Sequence, residues 1–147
     1  MIRIVVAPAP IALADELEAV ERAAGGAGAV ATFTGLVRDD GGVTTLELEH
    51  YPGMTEAALS DLAEQARERW SLDAVTIIHR VGAMGPGERI VFVGTAAAHR
   101  GAALESCAFL IDRLKTDAPF WKREARAGAT TWVDARTTDD AAADRWR

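Results

Sequence analysis

Apolar residues three and four apart alternate along this chain with short β-rich runs, and the spacing predicts its elements in order. Ile2 to Ala7 reads as a strand closed by Pro8 and Pro10. Leu13, Leu17, Val20 and Ala24 keep helical spacing against Asp15, Glu16, Glu18 and Glu21, giving an amphipathic helix ended by Gly25 and Gly26. Gly28 to Arg38 is β-rich, and the turn from Asp39 to Gly42 leads into a second strand, Val43 to Tyr51. The two read as a hairpin ended by Pro52 and Gly53. In the second strand Leu46 and Leu48 alternate with Glu47 and Glu49, so one face is expected to be wet. A longer helix follows, with Met54, Ala58, Leu62 and Ala66 on one line and Leu59, Ala63 and Trp70 beside it. Ala74 to Arg80 is a strand, and Gly85 to Gly87 is a tight turn into a strand from Arg89 to Ala96.

Ala103, Cys107, Leu110 and Leu114 then predict a helix from about Gly101. It must stop before Pro119, which lacks a backbone donor and pushes Ala118 out of the α region. Phe120 to Ala125 is extended, and a turn near Gly128 leads to a last strand, Thr130 to Ala135. The acidic, alanine-rich tail from Thr138 to Arg147 reads as a short helix docked through Trp146. Strands outnumber helices and hairpins separate the helices. That pattern predicts an α+β fold with a mostly antiparallel sheet and three main helices. No repeat, linker or low-complexity stretch divides residues 1–147, which read as a single domain.

Composition narrows the function classes. At 49% hydrophobic and 26% charged, the 147 residues suit one soluble domain with a real core. No apolar run approaches the roughly 20 residues that span a bilayer. The apolar stretch from Met1 to Ala7 is too short for a signal peptide. Cys107 is the only cysteine, so there is no internal disulfide and nothing points to export. A cytoplasmic protein is expected. A net charge of −6 argues against a general nucleic-acid binder, so any anion site must be a local cluster of arginine and lysine.

Two lysines bracket the proline break: Lys115 in the last helical turn and Lys122 on the strand beyond. At about 100° per residue, Lys115 falls on the line of Leu104, Ala108 and Ile111, beside the core stripe. Desolvation there, and a second ammonium folded back nearby, would lower a lysine pKa and make it a base or nucleophile. The same spacing also suits a Lys115 that merely offsets the helix dipole and a solvated Lys122. His99-Arg100-Gly101 stands where a strand gives way to a helix, so backbone donors and a guanidinium form an anion site. The plainer alternative is a histidine packed at a strand end beside a surface arginine. Arg38, leaving a strand at a glycine-rich turn, suits the same anion. His50 and His79 have no partner at metal-ligand spacing, and no metal or cofactor is expected. Cys107 lies in the middle of an apolar stripe and reads as a buried structural thiol, not a persulfide carrier. A nucleotide site at His99-Arg100 is disfavoured by the lack of a GxGxxG or Walker A loop.

Several long motifs occur together. They are Thr32 to Arg38 (TFTGLVR), Leu48 to Met54 (LEHYPGM), Ile78 to Gly82 (IHRVG), His99-Arg100, Asp112 to Thr116 (DRLKT) and Pro119 to Glu124 (PFWKRE). In this order, from about Ile4 to Arg136 and including Trp132-Val133, they resemble the large, catalytic subunit of molybdopterin synthase, the MoaE family. The resemblance implies an α/β-hammerhead fold and a homodimer of large subunits within a heterotetramer. A small ubiquitin-like subunit sits at each end, and its C-terminal Gly-Gly thiocarboxylate enters a pocket of the large one. Sulfur passes to cyclic pyranopterin monophosphate and builds the dithiolene of molybdopterin. By position, Lys115 resembles the central catalytic lysine and Lys122 the second pocket lysine. Arg38, His99 and Arg100 resemble the set that binds the pterin and its phosphate, Phe33 a pocket wall, and Glu124 a residue orienting a nearby base. Arg136 matches an arginine reaching the neighbouring subunit's site. Ile111 replaces the methionine of some relatives, and Ala96 to Ala98 is a plainer approach to the histidine than usual. The competing class is a module that captures a ubiquitin-like tail, its carboxylate held by Lys115 and Lys122, without catalysis.

Overall fold

The computed structural model describes residues 1–39, 41–126, 129–133 and 137–147. In chain order the first elements are β1 (Ile2–Ala7), α1 (Leu13–Ala23), β2 (Ala29–Leu36), β3 (Thr45–His50), α2 (Met54–Trp70) and β4 (Ala74–Arg80). They are followed by β5 (Gly82–Met84), β6 (Arg89–Ala97), α3 (Arg100–Asp117), β7 (Phe120–Arg126), β8 (Ala129–Val133) and α4 (Thr137–Asp144). The strands form two four-stranded sheets, in the orders β1-β4-β6-β2 and β5-β3-β7-β8. Every pairing is antiparallel except β1 with β4.

Helices cover the first sheet on both faces. Leu59, Leu62, Ala63 and Ala66 of α2 and Ala103, Cys107, Leu110 and Leu114 of α3 pack on Val75, Ile77, Val91 and Val93. On the opposite face Val20 and Ala24 meet Ile78, Phe92 and Ala96. All seven residues of β4 are therefore buried, as a strand between two apolar layers requires. The edge strand β2 pairs on one side only among the described residues, with β6. It carries no charged residue, and Val30, Phe33 and Leu36 are exposed on it.

The second sheet has a core of its own, in which Leu46, Leu48 and Met84 pack with Val37 and Phe120. Its outer face is polar and aromatic. Arg123 bonds Glu49 at 2.9 Å and lies over the Trp132 ring at 4.7 Å, and Tyr51 meets Trp121 edge-on at 4.2 Å. The wet face expected for the Glu47 and Glu49 strand is thus present.

Two of the links between the sheets position the site. After β4 the chain turns at Gly82, whose φ of +87° is a left-handed conformation that a Cβ strains. Gly82→Ala is expected to destabilise the fold by about 1–2 kcal/mol, read from urea unfolding midpoints. The other link is the proline break. Ala118 at the end of α3 is extended, with φ −82° and ψ 132°, so α3 stops and β7 leaves in a new direction.

The structure corrects three expectations. β2 and β3 are not a hairpin: β2 pairs with β6, whereas β3 pairs with β5 and β7 in the other sheet. A turn-forming segment reverses the chain but does not choose its partner. The choice follows from burial, since Ala31 faces α3 whereas Leu46 and Leu48 complete a separate core. Met54 is exposed, and the buried residue at that end of α2 is Thr55, whose hydroxyl donates to the Tyr51 carbonyl at 3.0 Å. The short strand β5 was not expected, because three residues are too few to show a period. The tail behaves as predicted. Trp146 donates its indole N–H to Asp112 at 2.7 Å and packs edge-on against Phe109 and Trp70. The turn near Gly128 and the end of the last strand at Ala135 lie outside the described residues. Among the described residues no helix is long and apolar enough to cross a membrane.

Candidate active site at the helix–strand break

Lys115 occupies the last turn of α3, and Lys122 lies two residues into β7 from Phe120, in register with Leu48 of β3. They are the only two lysines of the chain; the other 14 of its 16 lysine and arginine residues are arginine. That bias is legible in the sequence. Arginine stays protonated and serves wherever a fixed cation suffices, so a lone pair of amines marks where a proton can leave. The partial burial expected for Lys115 is absent. Both lysines are exposed, as is Leu104 one line up the helix, while Ile111 is half-buried against the core.

A histidine that sequence reasoning set aside connects them. His79 continues the row Val75, Ile77 on the α3 face of β4 and is 7% exposed. Its Nδ1 lies 2.8 Å from the Arg80 carbonyl oxygen, which can only accept, so Nδ1 carries the proton. The ring stacks on Phe120 with centroids 4.0 Å apart and planes 23° apart. Burial pushes its pKa down to about 4, and the charges of Lys122, Lys115 and His50 add to that fall against the bond to Arg80. Both ammonium groups therefore act on one neutral imidazole. On its other side Phe120 pairs with His50, 6.3 Å away, whose buried Nδ1 stands 3.7 Å from Glu56, beyond hydrogen-bonding distance. The only signal for His79 was its place: a polar ring ending an otherwise apolar row.

The remaining predicted residues fall in three places. Arg38 is exposed just past β2, and this end of β2 pairs with the start of β6, the end toward which α3 runs with Lys115. Phe33 is exposed on the same strand, on the α3 face. Glu124 follows Lys122 on the same face of β7 and pairs with Arg126 at 2.9 Å. His99 is the N-cap of α3 and Arg100 its first residue, both exposed. Sixteen residues separate His99 from Lys115, about 24 Å along a helix rising about 1.5 Å per residue. One chain thus brings Lys115, Lys122, His79 and Arg38 to one end and leaves His99 and Arg100 at the other. Arg136 lies outside the described residues.

Two other features are structural. Cys107 is buried on the sheet-facing side of α3, and burial pushes its thiol up to about 11. A cavity of about 540 Å³ opens on the α1 side of the first sheet, away from both lysines. Its arginines are committed, Arg80 to the Pro8 carbonyl and Glu88, and Arg89 to the Ile11 carbonyl. Among the described residues no group of three His, Cys, Asp or Glu is arranged to hold a metal. What remains is a pair of exposed amines whose charges both reach one uncharged imidazole, able to hold a carboxylate-like end, polarise a carbonyl and pass a proton.

The MoaE protein family model matches residues 6–117. The molybdopterin synthase catalytic subunit of Escherichia coli (strain K12) is 51% identical over 148 residues, covering 98% of this chain and 97% of its own. The protein of the same name from Cereibacter sphaeroides is 50% identical over 145 residues, covering 98% and 99%. Among solved structures, the molybdopterin biosynthesis MoaE protein from Burkholderia ambifaria superposes with a TM-score of 0.87 at 48% identity, covering 99% of this chain and 98% of that one. The mixed α+β architecture, the motifs along it and these near full-length matches agree: the chain belongs to the MoaE family.

Proposed function

We propose that this chain is the catalytic subunit of a molybdopterin synthase, a cytoplasmic sulfurtransferase. It passes sulfur from the C-terminal thiocarboxylate of a small ubiquitin-like subunit to cyclic pyranopterin monophosphate, forming the dithiolene of molybdopterin. The observation that carries this reading is the pair of lysines, the only two in a chain half identical to catalytic subunits, whose charges both reach one neutral ring beside a proline break. A thiocarboxylate tail presents a negative end that two ammonium groups hold, and charge developing on oxygen during sulfur addition falls within their field. The buried Cys107 offers no relay, so the sulfur arrives on the partner and leaves on the pterin.

The length of α3 shapes the rest of the site. His99 and Arg100 suit a phosphate, but they stand a helix length from the lysines of their own chain. In the homodimer that the family resemblance implies, the same pair from a second copy completes the pocket, and Arg136 joins from that side. Two copies related by a two-fold axis then form two equal sites.

Reconstitution tests the whole reading. The chain, incubated with thiocarboxylated small subunit and the cyclic phosphate precursor, is expected to yield dithiolene product and spent carboxylate tail. A stable complex without product would instead mark a tail-capturing module.

A further inference from the structure

The two lysines belong to different parts of the fold. Lys115 rides on α3, which packs on the first sheet; Lys122 rides on β7, a strand of the second. Only Ala118 and Pro119 join them, and Ala118 is already extended. Something other than the chain connection must set the angle at that break. His79 belongs to the first sheet, paired with Val91 and Val6, and lies on the face that α3 covers. Phe120 is the first residue of β7 and packs in the core of the second sheet. The 4.0 Å stack of one ring on the other crosses from sheet to sheet beside the break. The bond from Nδ1 to the Arg80 carbonyl fixes the tilt of the imidazole at the place where the chain leaves β4 for Gly82.

We propose that His79 is a positioning residue for sulfur transfer, its ring seated against Phe120 so that Lys115 and Lys122 converge on one substrate. The charged groups around it explain why the seat is neutral. Lys122 approaches from β7, Lys115 from α3 and His50 from β3, with the Arg80 guanidinium next along its own strand turned to Pro8 and Glu88. An imidazolium there would repel both amines; an uncharged ring lets two cations share the site. Bulk alone would be met by leucine. The flat face against Phe120 sets the angle, and the bond to the Arg80 carbonyl adds only to how firmly the ring is held.

This inference rests on the proposed reaction, but its first test does not. With only two lysines in the chain, a short bifunctional amine reagent reports on their separation by a Lys115–Lys122 link in a mass spectrum, told apart by sequence from any link to the α-amine of Met1. The wild-type chain is expected to give the Lys115–Lys122 link. His79→Ala is expected to lower its yield at least about fivefold, and His79→Phe, which restores a flat ring, to recover at least half. In the reconstituted reaction His79→Ala is expected to cut kcat at least about tenfold with small-subunit Kd within about threefold, and His79→Phe to recover most of the rate. An unchanged link in His79→Ala, or a His79→Phe variant that is folded yet as impaired as His79→Ala, would overturn the assignment. If the links behave as expected and no variant, wild type included, makes product, the positioning stands and the reaction assignment falls.

Discussion

Lys115→Ala is expected to lower dithiolene formation by about 10²–10³-fold, the scale of losing one fixed cationic or hydrogen-bonding group at a developing oxyanion. The substitution removes an exposed side chain that fills no core position, so urea midpoint and small-subunit affinity should stay near wild type. Lys115→Arg separates two roles. A guanidinium supplies the same charge but cannot give up its proton at any working pH. Where the chain needs only a cation it uses arginine, 14 times in all, and it keeps lysine for two positions. The expectation is therefore that Lys115→Arg stays within about tenfold of Lys115→Ala. Recovery to near wild type in single-turnover assays would show that charge alone suffices and would remove the amine from the proton-transfer step.

Acid should destabilise this fold through His79. In the folded chain the imidazole titrates at about 4, against 6.5 for an ordinary histidine, and burial is the main cause. The unfolded chain thus takes up a proton that the folded one refuses, so stability is complete above about pH 6.5 and falls as pH drops toward 4. A shift of this size corresponds to about 3 kcal/mol at ~1.4 kcal/mol per unit. Urea unfolding at pH 7 and pH 4.5 measures it when wild type is set beside His79→Phe, which has no such proton. The carboxylates titrate alike in both proteins and cancel. Wild type is expected to lose about 2–3 kcal/mol more than the variant over that interval. Parallel profiles would mean that the imidazole is not held neutral in the folded chain.

Periodicity made most of the fold legible. The stripe Ala103, Cys107, Leu110, Leu114 is the buried face of α3, and the stop before Pro119 follows from the chemistry of proline itself. Strand partners were another matter. β2 pairs with a strand more than fifty residues on, because pairing is decided by which apolar faces find cover in three dimensions. The site was partly legible for the same reason. Lys115 and Lys122 are seven residues apart and flank a visible break, so a local reading reached them. His79 comes from another sheet, and nothing local marks a buried imidazole as the ring on which a distant phenylalanine rests. His99 and Arg100 were grouped with the lysines by family likeness, and only the span of α3 shows that they stand at its far end.

The outermost strand of the first sheet has a practical consequence. Among the described residues β2 is paired on one side only, and its eight residues include no repelling charge, lysine or proline, the devices that usually blunt such a border. Expressed without its companions, the polypeptide will tend to stack border to border and drop out of solution. Yield of usable material should therefore follow whether whatever normally shields that border is co-produced, regardless of how well the interior is packed.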